Sequence, residues 1–120
     1  MHRFRLGALA ALLSLGLAGP AFAHAHLKSA VPAQNATVPA PSTLRLGFSE
    51  GLELRFSGIK LTGPGGAAVP TGDATLDTDG MTLIVPVAGA LPAGAYTVDW
   101  HALSKDGHTT KGSYAFTVGK

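Results

Sequence analysis

Tyr96-Thr97-Val98-Asp99-Trp100 alternates residue by residue between a large apolar side chain and a polar one. Successive side chains of a strand point to opposite faces, so Tyr96, Val98 and Trp100 would line one face, with Thr97 and Asp99 on the other. Working outward, Ser113 to Val118 repeats the pattern with Tyr114, Phe116 and Val118. Leu44 to Phe48 and Ile59-Lys60-Leu61 alternate as well, and Thr82 to Val87 is a longer apolar run between Asp79-Gly80 and Gly89. Gly63-Pro64-Gly65-Gly66 and Leu91-Pro92-Ala93-Gly94 have the chemistry of turns. Asn35 to Ser42, with Pro39 and Pro41, reads as an irregular link after a first strand that starts at Leu27. No segment holds a helical period beyond two turns. The pattern predicts an all-β chain, an immunoglobulin-like Greek-key β-sandwich or barrel of about seven strands. Trp100 is expected as a core anchor, and Met81 as a strand or core residue.

The first 23 residues read as a secretory signal peptide. Arg3 and Arg5 precede an apolar run from Leu6 to Leu17, and Ala21-Phe22-Ala23 supplies small residues for cleavage. The run is too short and too early for a membrane span. Cleavage after Ala23 leaves one domain, residues 24–120, starting at His24. Cleavage two residues later, before His26, also satisfies the small-x-small rule. The segment carries two of the nine Lys and Arg residues and no acid, so seven remain against seven Asp and Glu. A chain so nearly neutral has no basic patch for nucleic acid. The absence of cysteine excludes thiolate sites, disulfides and thiol nucleophiles.

Four histidines follow the cleavage point: His24, His26, His101 and His108. An N-terminal histidine offers its free amine and its ring Nδ1 on one residue. A second imidazole completes a T-shaped set of three nitrogens, a histidine brace. Such nitrogen-rich tetragonal sites suit Cu(II). His24-Ala25-His26 offers a competing arrangement, in which the amine, two deprotonated backbone amides and the third-residue imidazole form a square plane and need no fold. Both use the same amine, so they exclude each other. Asp106-Gly107-His108 places a carboxylate and an imidazole two residues apart in a loop-like stretch after the strand ending near Trp100. His101 would share a strand face with Asp99 and is a candidate outer partner of a ligand.

The segments His24-Ala25-His26-Leu27, Ser29-Ala30-Val31-Pro32-Ala33, Phe48-Ser49-Glu50, Val98 to His108 and Gly112 to Val118 together resemble the CopC family of periplasmic copper-binding proteins. The resemblance runs in order along the whole chain after the signal. It implies one Cu(II) per chain in a Greek-key sandwich in the periplasm. By that resemblance His24 supplies amine and Nδ1, His108 the opposite imidazole and Asp106 a carboxylate oxygen. Glu50 matches an acid at or near the metal in some members, and His26 ranks below it. Some members carry a methionine-rich loop for Cu(I). Here Gly63-Pro64-Gly65-Gly66 stands in that region, and the only methionines are Met1 and Met81, so no Cu(I) site is expected. The implied role is copper homeostasis or resistance, as a monomeric carrier or buffer that hands copper to a CopD-type inner-membrane protein, and not an enzyme. A histidine-brace copper mono-oxygenase and a metal-free interaction sandwich are the alternatives.

Overall fold

The computed structural model describes residues 25–119. The expected signal segment, His24 and Lys120 lie outside the described residues. Among the described residues there are nine strands: β1 (Leu27–Val31), β2 (Thr37–Val38), β3 (Thr43–Phe48), β4 (Gly58–Thr62), β5 (Ala68–Val69), β6 (Thr75–Leu76), β7 (Thr82–Pro86), β8 (Gly94–Leu103) and β9 (Thr109–Val118). They form two sheets, ordered β1-β3-β7-β6 and β2-β9-β8-β4-β5. Every pairing is antiparallel except β2 with β9, which is parallel. The sandwich read from the sequence is therefore the architecture observed. The count exceeds seven because β2, β5 and β6 are two residues each, too short to show a period. The link from Asn35 to Ser42 contains β2.

Alternation decides what each strand buries. Leu44, Leu46 and Phe48 of β3 and Leu83 and Val85 of β7 point into the core. They meet Leu61 of β4, Tyr96, Val98 and Ala102 of β8, and Tyr114, Phe116 and Val118 of β9. Tyr96 and Phe116 stack with ring centroids 5.6 Å apart. Trp100, half-buried, meets Phe48 of the opposite sheet edge-on at 5.2 Å. Its ring lies over Gly112, its cross-strand neighbour, where a Cβ would sit 2.6 Å from Trp100 Cζ2. Only glycine accommodates that approach.

Two expectations are corrected. β8 does not end near Trp100 but continues to Leu103, because Ala102 keeps the inward phase and is fully buried. Met81 is neither core nor strand. It sits in the bend before β7, 36% exposed, where its own amide and that of Thr82 are tied to Asp79 Oδ1.

Candidate metal centre

The β8–β9 connection is five residues long, Ser104-Lys105-Asp106-Gly107-His108, across the pair Leu103 and Thr109. Its shape follows from its chemistry. The Ser104 N–H donates to the His108 carbonyl at 2.9 Å, and the Gly107 N–H to the Ser104 carbonyl at 2.9 Å. Gly107 takes φ +93°, a conformation that glycine adopts without steric cost. Asp106 Oδ1 accepts from the Ser104 hydroxyl and from the His108 N–H at 3.2 Å. His108 Nδ1 approaches the same oxygen to 3.1 Å. The carboxylate and imidazole are thus held side by side, both roughly 40% exposed.

Ser104 anchors this arrangement from beneath. It is 1% exposed and forms an antiparallel bridge with Leu52. Its hydroxyl, above all, holds the Asp106 carboxyl below its ordinary pKa; the neighbouring His108 adds to this, and partial desolvation opposes it. Asp106 therefore stays anionic through the range in which an imidazole titrates.

A second arm reaches the same end of the sandwich. Ala25 is fully buried. Its carbonyl accepts from Thr110 Oγ1 at 2.8 Å. The His26 N–H donates to Ser49 Oγ at 2.9 Å, and the Ser49 N–H donates back to the His26 carbonyl at 2.9 Å. The chain entering β1 is thereby fastened on one side to the start of β9, two residues past His108, and on the other to the bend after β3.

Of the residues singled out from the sequence, Asp106 and His108 are brought together. The side chain of His26 is exposed, in a residue whose backbone is clasped by Ser49. Glu50 is half-buried in the bend after β3. Among the described residues, no three His, Asp or Glu side chains gather into one metal-binding group. His101 shares the outer face of its sheet with Asp99, as expected. Its ring lies over Gly58, with Cε1 3.3 Å from where a Cβ would be, and Lys111 is its partner on β9. Ser49, Ser104 and Thr110 were not singled out from the sequence. Hydroxyl residues are common in strands and turns, and only the fold shows which backbone groups these three hold.

The CopC domain family matches residues 27–119. The chain belongs to the CopC family. It is 50% identical over 111 residues to Protein YobA of Escherichia coli K12, covering 90% of each chain. It is 39% identical to Copper resistance protein C of Escherichia coli, over 88% of this chain and 90% of that one. The crystal structure of PcoC, a methionine-rich copper resistance protein from Escherichia coli, superposes with a TM-score of 0.75 at 40% identity. That match covers 81% of this chain and all of PcoC.

Proposed function

We propose that this CopC-family chain is a periplasmic Cu(II) carrier or buffer with one copper site. In this reading His24 contributes its amine and Nδ1, His108 an imidazole and Asp106 a carboxylate oxygen. The observation that carries it is the convergence of two independently fastened arms on one end of the sandwich. Consecutive Cα atoms are about 3.8 Å apart, so a fixed Ala25 tethers His24 to that end. Thr110, which holds the Ala25 carbonyl, is about 7 Å along an extended strand from His108. Three nitrogens and one anionic oxygen form a donor set that favours Cu(II) over other divalent ions.

The clasp on residues 25 and 26 weighs against the peptide-type plane. That plane needs the His26 amide nitrogen on copper, and this N–H is donated to Ser49. The position of Met81 supports a site without thioether ligands. PcoC is described as methionine-rich, whereas Met81 is the one methionine among the described residues. The reading is of a binding protein and not an oxidase. Phe48, Tyr96, Tyr114 and Phe116 are buried, and so do not form the flat aromatic face that an enzyme acting on polysaccharide would present. A copper resistance protein of this kind would pass its ion to a CopD-type membrane protein.

The test is Cu(II) titration of secreted protein whose mass shows that it begins at His24, followed by electron paramagnetic resonance. One equivalent with a tetragonal, nitrogen-rich spectrum is expected. His108→Ala should lose that spectrum, and Asp106→Asn should weaken binding by a smaller factor. A spectrum unchanged in His108→Ala would refute the site.

A further inference from the structure

We infer that Thr110 and Ser49 are specificity-determining residues for the mode of copper binding, clasping the backbone of residues 25 and 26 so that copper cannot capture it. This deepens the proposed copper site and rests on it for what copper does in the wild-type chain.

His24-Ala25-His26 carries the spacing of a square-planar copper peptide, and nothing in its composition prevents that outcome. To form the plane, the chain must curl around the ion. The amide nitrogens of residues 25 and 26 each release a proton and bind copper, and the His26 imidazole closes the ring. Three contacts oppose this. Thr110 Oγ1 donates to the Ala25 carbonyl at 2.8 Å. The His26 N–H donates to Ser49 Oγ at 2.9 Å, and the Ser49 N–H to the His26 carbonyl at 2.9 Å. Ala25 is also fully buried in the apolar core cluster. Curling would break all three hydrogen bonds and draw Ala25 out of the core. The backbone leading into β1 is therefore held in place, and the His26 nitrogen that the plane requires is already used as a donor.

The two hydroxyls act from different elements. Thr110 belongs to β9 and Ser49 to the bend after β3, in opposite sheets. Each can be removed separately with little change of shape, as Thr110→Val and Ser49→Ala. A net hydrogen bond is worth about 0.5–1.5 kcal/mol, so each loss should move the balance toward the planar mode by roughly 2- to 10-fold.

The experiment compares wild type, Thr110→Val, Ser49→Ala, the double variant and Thr110→Ser, all processed to His24. Each is loaded with one Cu(II). The visible and paramagnetic resonance spectra are recorded, and the protons released per copper are counted by pH-stat. Amide exchange at His26 is measured without metal. We expect faster His26 exchange in Ser49→Ala and in the double variant. The double variant should gain a four-nitrogen spectrum that disappears on His26→Ala and releases two further protons per copper. Thr110→Ser keeps the hydroxyl and should behave as wild type. If Thr110→Val does not fold, Ser49→Ala alone decides, with a smaller gain of the same signal. A double variant, left with only the backbone bond from residue 49 to the His26 carbonyl, that gains no His26-dependent copper signal overturns the inference. So does a wild-type protein that already shows one. A wild type that lacks His108-dependent copper while the double variant gains the planar signal would sink the proposed brace and leave the clasp standing.

Discussion

The two ends of the sandwich are built on different principles. At the end where β8 turns into β9, side-chain hydroxyls grip backbone: Ser104 reaches the His108 carbonyl, Thr110 holds Ala25, and Ser49 holds His26. At the opposite end, glycine and proline close the structure by shape. Pro64, in the tight turn Pro64–Gly66, packs on Gly94, where a Cβ would lie 2.4 Å from Pro64 Cγ. The Tyr96 hydroxyl donates to the Pro92 carbonyl at 2.6 Å and fixes the turn before β8. Hydroxyl-to-backbone bonds set distances and leave the Asp106 and His108 side chains partly exposed. Glycine–proline packing fills space and offers no side-chain donor atoms. Under the proposed function, the first end would hold the ion and the second would stabilise the fold.

That contrast breaks most sharply at the N-terminus. In the chain expected to begin at His24, an extra glycine before it moves the free amine off that residue and leaves the described sandwich intact. Cu(II) affinity should then fall by more than about a hundredfold, beyond the 10- to 100-fold that outer-partner changes cost, with the melting temperature of the metal-free protein unchanged. Calorimetric titration beside a thermal melt checks both. Comparable affinity in the extended protein would show that this end does not use the amine.

The far end should respond in the opposite sense. Gly94→Ala places a side chain at φ +143° against Pro64. Overpacking and strain should destabilise the fold by about 2–3 kcal/mol, lowering Tm by roughly 10–20 °C in a domain of this size. Copper affinity measured well below the melt should not change. A shift in affinity would mean that the two ends are coupled through β8.

The smallest effect is expected in the middle, at Tyr114. It is 5% exposed, and its hydroxyl lacks a hydrogen-bond partner among the described residues. Burial pushes the phenol up to about 12 from its ordinary 10.0. The unfolded chain therefore loses this proton first, and stability should decline as pH rises from 10 toward 12. Below pH 10 that contribution is fully present. Tyr114→Phe should flatten the alkaline decline. At neutral pH it should be neutral or stabilising by up to about 1 kcal/mol, since an unpaired buried hydroxyl is removed. Denaturant melts across pH read both, and an unchanged alkaline slope would locate that titration elsewhere.

Most of the sandwich was legible in the sequence because its long strands alternate cleanly. Leu44 to Phe48, Tyr96 to Trp100 and Ser113 to Val118 all fall inside observed strands. Alternation failed where packing, not pattern, decides. β8 extends through His101 to Leu103 because Ala102 fits the core. Met81 is exposed because the turn tied to Asp79 ends before β7 begins. Of the short edge strands, β2 rests on β9 far along the chain, which no local window contains, whereas β5 and β6 pair with the neighbouring β4 and β7 and are too short to show a period.

The sequence by itself determined the class of fold, the absence of thiol chemistry and a supply of imidazole and carboxylate groups, to which the expected cleavage would add an amine. It also carried the Asp106-Gly107-His108 spacing, which a five-residue turn converts into an adjacent carboxylate and imidazole. The tertiary structure decided which backbone atoms are already engaged. Thr110 meets Ala25 across 85 positions, and Ser49 meets His26 across 23. Contacts of that span depend on the order and register of the strands, a collective property of the packed sheets. Local sequence states which groups are available to a metal, and packing leaves only some of them free to reach it.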